Sequence, residues 1–152
     1  MIKFIISFLI LFLNYNYALS RNIGETEITT ENGIEVFQEE KYYLLKKNVE
    51  IISDEFELNG DLVKIYFEKD LYDIQELFAS TDVNFTSSSY NIKGKGEALT
   101  FNIKNEQINV SGMDSELFLE ATEMFSDGSI TVDNIAGSFS IKGPNSKLIT
   151  DE

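Results

Sequence analysis

The sequence predicts an all-β domain, and three observations carry that expectation. A strand-pair unit recurs: Asn48–Phe67 (NVEIISDEFELNGDLVKIYF) is followed 34 residues later by Asp82–Phe101 (DVNFTSSSYNIKGKGEALTF). Across the two copies Asn48/Asp82, Val49/Val83, Ile51/Phe85, Phe56/Tyr90, Leu58/Ile92, Gly60/Gly94, Ile65/Leu99 and Phe67/Phe101 keep chemical type and strand parity. Beyond the N-terminal leader no stretch sustains a helical period, while turn signals return at the roughly 8–12-residue spacing of short strands. The chain holds one proline, Pro144, as expected where most segments must donate a ladder hydrogen bond. Self-similarity of a strand pair predicts a twisted antiparallel sheet that stacks or rolls on itself.

Taken in order, the chain opens with Lys3, the apolar run Phe4–Leu13 and a small-residue site at Ala18 and Ser20. That is the pattern of a secretory signal peptide over residues 1–20, with an uncleaved anchor as the alternative. The run is short of the about 20 apolar residues that span a bilayer. The domain is then assigned to residues 21–152.

Thr26–Glu31 has strand composition, and Asn32-Gly33 is a hairpin signal before the alternating Ile34–Phe37. Tyr42–Leu45 continues through Lys46-Lys47 into Val49–Ile51, with Tyr43, Leu45, Val49 and Ile51 on one parity. After Ser53-Asp54 the inward parity passes from Phe56 and Leu58 to Val63, Ile65 and Phe67, so Gly60 marks a bulge or bend. Lys69–Glu76 is a connection, too short for a helix of its own. Lys104-Asn105-Glu106 and Ser111–Ser115 read as a turn and a loop. Leu117–Phe125 has helix-forming composition but is assigned as one strand on the strength of the repeat. A weaker third copy, Met124–Ile141, pairs Phe85/Phe125, Tyr90/Ile130, Ile92/Val132 and Phe101/Ile141. Ser146–Glu152 is a tail or a last edge strand.

Composition excludes much chemistry. Lys and Arg number 12 against 26 Asp and Glu, a net charge of −14. That opposes a phosphate backbone, so nucleic acid is excluded as a partner. There is no cysteine and no histidine, which removes disulfides, thiol catalysis, imidazole metal sites and the usual serine triad. Carboxylate pairs such as Asp54/Glu55 and Glu39/Glu40 are expected by chance in so acidic a chain. Ser126-Asp127-Gly128 lacks the spacing of a calcium loop. The sequons at Asn84 and Asn109 fall in predicted strands. The expectation is therefore no catalytic residue, no metal and no cofactor.

Three stretches carry a family resemblance: Ile28–Val36 (ITTENGIEV), Tyr43–Phe67 with its Leu58-Asn59-Gly60-Asp61 corner, and the second corner Ile92-Lys93-Gly94-Lys95-Gly96. They resemble the OstA-like (LptA) family of lipopolysaccharide transport proteins over roughly residues 26–142. The chain departs from that pattern in having Lys47 where the family has glycine before the Asn-Val step, Thr26 at an aliphatic position, and a short C-terminal part. The resemblance implies a twisted, OstA-like antiparallel β-jelly roll in the periplasm. It further implies a non-enzymatic bridge that holds lipopolysaccharide acyl chains in a groove. Implied partners are lipopolysaccharide, inner-membrane LptC-like and outer-membrane LptD-like proteins met by edge-strand pairing, and further copies of the chain stacked head to tail.

On this reading the groove lining is Ile34, Val36, Val49, Ile51, Phe56, Leu58, Ile65, Phe67, Phe85, Tyr90, Ile92, Leu99, Phe101, Val132 and Phe139, with Val63, Val83, Ile103 and Ile141 beside them. From the residues alone a closed sandwich core fits the same pattern, and only the resemblance favours an open groove. Partner-facing edges are assigned to Thr26, Ile28 and Thr30 at one end and Ile135, Ser138 and Ile141 at the other. Glu25, Glu27 and Glu31 are the residues that would instead blunt the first edge. Two alternatives remain: a β scaffold that works only through its edges, and an anchored LptC-like component. A transmembrane barrel fits less well, because the two faces are not cleanly apolar outward.

Overall fold

The computed structural model describes residues 22–69 and 73–151. The proposed leader, residues 1–20, lies outside them, as do residues 70–72 of the connection after β4. The described residues form no helix and twelve strands, all paired antiparallel. These are β1 (Glu27–Thr29), β2 (Ile34–Phe37), β3 (Tyr42–Ile52), β4 (Phe56–Phe67), β5 (Ile74–Ser87), β6 (Ile92–Asn102), β7 (Gln107–Ser111), β8 (Ser115–Leu119), β9 (Thr122–Ser126), β10 (Ser129–Asp133), β11 (Ser138–Lys142) and β12 (Lys147–Thr150).

The pairings resolve this list into a simple meander folded along a crease. Four long strands, β3 to β6, run straight across the crease, and four other passes are broken there into β1/β2, β7/β8, β9/β10 and β11/β12. One wing reads β2-β3-β4-β5-β6-β7-β10-β11 and the other β1-β3-β4-β5-β6-β8-β9-β12. Each pass pairs with its neighbours in the chain, so every connection is a local turn at a wing tip.

How the chain turns the crease explains the parity change at Gly60. In β3 the pairing slips between Lys46 and Val49, and in β5 between Ser80 and Val83. Both are bulges in which one extra residue opposes the partner strand. The bulged pairs Lys47-Asn48 (φ 66 and 45) and Thr81-Asp82 (φ 68 and 52) lie in the left-handed region. A glycine is the easy residue there, and Lys47 is the position where the family pattern has one. β4 and β6 cross without an extra residue, so their inward parity flips, from Leu58 and Gly60 to Val63 and Ile65, and from Ile92 and Gly94 to Leu99 and Phe101. At Gly96 a Cβ would lie 2.7 Å from Val110 Cγ1 and 3.0 Å from the Ser111 carbonyl oxygen, so the crease leaves no room for a side chain.

Directly paired residues of an antiparallel ladder share a face. The inner faces of both wings are apolar and form one cluster that includes Leu45, Val49, Ile51, Leu58, Val63, Ile65, Leu77, Ala79, Val83, Phe85, Ile92, Leu99, Phe101, Ile108, Val110, Leu117, Met124, Ile130 and Val132. The alternating buried–exposed pattern along β4 to β6 is the pleat itself.

Three sequence assignments change. Leu117–Phe125 is not one strand: Glu120, at φ 53, turns β8 into β9. The repeat is real, but its second halves align two residues later than the sequence suggests. Val49 pairs with Gly60 and Val83 with Gly96, so Gly60 matches Gly96, Val63 matches Leu99, and Ile65 matches Phe101. The third copy fails at Phe125, which pairs with Glu116 and Lys147 on the outer face, whereas Phe85 is buried inside. Of the two readings of Ser146–Glu152 the last edge strand holds, with Lys147–Thr150 forming β12.

Candidate functional site

The apolar interior between the wings is the candidate site, and it differs between its middle and its ends. In the middle Val49, Ile51, Leu58, Ile65, Phe67, Phe85, Ile92, Leu99, Phe101 and Val132 are all buried. Phe56 and Tyr90 are half-buried and pack against them. The two wings meet through aromatic rings. Phe56 lies 6.4 Å from Phe85, Phe85 lies 5.8 Å from Phe101 across the interior, and Tyr90 stands edge-on to Phe101 at 5.9 Å. Burial first, then the carboxylates of Glu106 and Glu55, push the Tyr90 phenol above its ordinary pKa.

At the ends the same inner face is open. Ile34 and Val36 of β2 pair with Leu45 and Tyr43, which places them on the inner face, yet they are 49% and 45% exposed. At the other end Phe139 pairs with Val132, Leu148 pairs with buried Met124, and the two are 45% and 47% exposed. The interior is thus sealed in the middle and has an apolar mouth at each edge of the meander.

Polar groups inside are few and satisfied. The buried hydroxyls of Ser87, Ser115 and Ser126 donate to the carbonyl oxygens of Glu55 (3.3 Å), Gly112 (2.7 Å) and Lys142 (2.7 Å). Among the described residues no buried side-chain nitrogen or oxygen lacks a partner, and no acidic cluster suits a metal ion. On the polar side of the crease lie clefts of about 420 and 480 Å³, lined in part by Asn48, Asp61 and Asp82 and by Lys95, Glu97 and Asp114. Among the described residues the buried lining of the interior carries no Asp, Glu, Lys or Arg side chain.

The edges complete the site. β1 and β2 leave one side of the first pass unpaired, and β11 and β12 do the same for the last. Ile28 sits on β1 and faces inward opposite Ile51, while Thr26 precedes the strand and the Thr30 hydroxyl donates to the Lys46 carbonyl at the crease. Ser138 and Ile141 belong to β11, and Ile135 lies in the turn before it, strongly exposed. The expected second edge, at Ile135, Ser138 and Ile141, thus falls on β11 and the turn before it, while β10 is paired on both sides. β2 and β12, each an edge of its wing, and the inner residue Leu148 complete the set. Their signal is the alternation in Ile34–Phe37 and Lys147–Thr150, which also fits an interior strand.

Charge is unequal between the edges. The first carries Glu25, Glu27, Glu31 and Glu35, with Lys46 2.9 Å from Glu35 and Lys47 2.8 Å from Glu31. Hydrogen bonding between Glu31 and Lys47 holds the carboxyl below and the ammonium above their ordinary pKa values. The last edge carries Lys142 and Lys147.

No family model and no curated protein matches the sequence. The fold does match a solved structure. It superposes on the crystal structure of LptH from Pseudomonas aeruginosa, described as the LptA-homologous periplasmic component of the lipopolysaccharide transport device, with a TM-score of 0.69. The match covers 84% of this chain and 96% of LptH at 8% identity. The chain has the LptA-type β-jelly-roll fold. The expected architecture therefore stands.

Proposed function

We propose that this chain is a periplasmic lipid-carrying bridge protein that holds lipopolysaccharide acyl chains between its wings and passes them from the inner to the outer membrane. The observation that carries this reading is the apolar inner face reaching both edges of the sheet and lying open there, in a fold shared with a lipopolysaccharide transport component. Burial of an acyl chain contributes about 0.8 kcal/mol per methylene, which requires walls without charged groups, and the interior cluster has none. The chain carries out no covalent chemistry on its cargo. It joins LptC-like and LptD-like neighbours, or further copies of itself, by adding strands to β1, β2, β11 and β12. The leader at residues 1–20 directs export, and residues 21–152 form the carrier domain.

The test is photo-cross-linking in cells. A photo-reactive residue at Ile34, Phe56 or Phe139 is expected to give lipopolysaccharide adducts, and one at Glu57, on the outer face, none. Adducts at Glu57 alone would sink the carrier reading. The tightly packed middle favours one rival, a scaffold that works only through its edges. Protein adducts at Ile28 and Ser138 with no lipid adduct at any inner position would select it.

A further inference from the structure

A path for acyl chains between two mouths must pass the place where the wings touch. Among the side chains packed there, four aromatic rings form a row. Tyr90 lies in the turn between β5 and β6, at the tip of one wing. Its ring meets Phe101, which stands near the tip of the other wing, at 5.9 Å and 89°. Phe101 in turn lies 5.8 Å from Phe85, which lies 6.4 Å from Phe56. Phe85 and Phe101 are 1% and 5% exposed, against 45–49% for the inner-face residues at the mouths. The row therefore crosses from wing to wing at the centre of the meander. Glu55 and Glu106, at facing tips, are the charged groups near the Tyr90 phenol.

We propose that Tyr90, held on Phe101, is the constriction of the interior: it sets how fast an acyl chain passes between the mouths, and passage requires the Tyr90–Phe101 contact to part. This rests on the carrier reading and adds to it a division of labour. The mouths take up lipid, and the clasp governs transit. The clasp depends on side chains at two wing tips and on no backbone pairing between the wings there, since Tyr90 sits in a turn. Opening it therefore breaks an aromatic contact and leaves the ladders intact.

The chain contains no tryptophan, so Tyr90→Trp introduces a single indole reporter at the clasp. In the full-length variant without lipid, acrylamide is expected to quench the indole weakly, and brominated stearate is expected to quench it once bound. Stopped-flow uptake of parinaric acid, a fluorescent long-chain fatty acid, then reads transit. Tyr90→Ala should load about two- to tenfold faster than the wild type, the factor set by loss of one aromatic pair. Tyr90→Phe, which keeps the ring on Phe101, should load more slowly than Tyr90→Ala. Wild-type rates in a folded Tyr90→Ala overturn the proposal, and Tyr90→Leu replaces it if the alanine variant does not fold. If neither wild type nor variant binds parinaric acid or lipopolysaccharide, the carrier reading has failed. The clasp is then judged by acrylamide alone, and full quenching of the indole in the lipid-free Tyr90→Trp chain overturns it.

Discussion

The crease makes a prediction that separates two alignments of the repeat. Replacing Gly96 by alanine puts a Cβ 2.7 Å from Val110 Cγ1, 3.0 Å from the Ser111 oxygen and 3.1 Å from Ser115 Oγ. Carbon pairs are most favourable at about 3.5–4.0 Å, so the methyl overlaps a β7 side chain by nearly an ångström while two oxygens block its retreat. Overpacking of this kind costs about 1–3 kcal/mol. At Gly60, the equivalent position by ladder pairing, the nearest atoms are the Ser80 oxygen at 3.5 Å, Val83 Cγ2 at 3.6 Å and Ala79 Cβ at 3.7 Å. Alanine fits there in ordinary contact and gains about 0.4–1 kcal/mol from the stiffer unfolded chain. The two variants should then differ by about 1.5–4 kcal/mol. For a domain with a urea slope of about 1–3 kcal/mol/M this separates their midpoints by about 0.5 M or more. Gly94→Ala, whose Cβ would meet Val110 Cγ2 at 3.3 Å, should fall between them. Equilibrium urea unfolding followed by circular dichroism measures all three. If Gly94→Ala proves the most damaging, or Gly96→Ala matches Gly60→Ala, the steric account of the crease is wrong.

Further outcomes follow from the packing and the charges. Phe85→Ala removes a fully buried ring between the wings and should cost about 3–5 kcal/mol in urea unfolding. Tyr90, held above its ordinary pKa by burial and by Glu106 and Glu55, should give a late component, above the ordinary tyrosine range, in an ultraviolet titration. A raised folded pKa means its stabilising share is complete below the unfolded value and lost as pH rises through the folded one, and Tyr90→Phe should remove that late component. Asp127 is held low, chiefly by the Asn145 amide and then by the Asp114 N–H. Its contribution is present above the unfolded pKa and is lost as pH falls below about 4, so Asp127→Asn should flatten the acid limb of the stability profile. If edges pair head to tail, Lys142→Glu with Lys147→Glu should weaken self-association in analytical ultracentrifugation, and the wild-type association should fall with added salt.

Much of the fold is legible in the sequence because alternation is a direct image of the pleat. Parity alone identifies Val49, Ile51, Leu58, Ile65 and Phe85 as inner residues, and all are buried. Parity also explains the error in the repeat. From Ile52↔Glu57 to Thr86↔Lys93, the second tip is longer by two residues, and a slip of two returns every side chain to the same face. Gly60/Gly94 therefore looks as good in the sequence as Gly60/Gly96. The β8–β9 turn leaves no signal, because Glu120 occupies the left-handed position that glycine or asparagine would have advertised. The interior is legible as a set and not as a map. Ile34 and Val36 read like Val49 and Ile51, and only the position of a strand in the sheet order decides which are covered.

That position follows from connectivity. In a meander every pass pairs with its neighbours in the chain, so the first and last passes are each left with one unpaired side unless they meet each other. Here they do not: β2 and β11 end one wing, and β1 and β12 end the other. The inner-face residues of those strands, Ile34, Val36, Phe139 and Leu148, consequently have a neighbour on one side only, which accounts for their exposure. Such edges invite pairing with another chain, and the charges decide between the possible unions. Two first edges would bring Glu27 and Glu35 against their own kind, and two last edges would do the same with Lys142 and Lys147. A first edge against a last edge sets carboxylates beside ammonium groups and joins two apolar mouths into one. Of the unions open to this sheet, the one that covers the exposed apolar face without stacking like charges is the one that also makes the interior continuous.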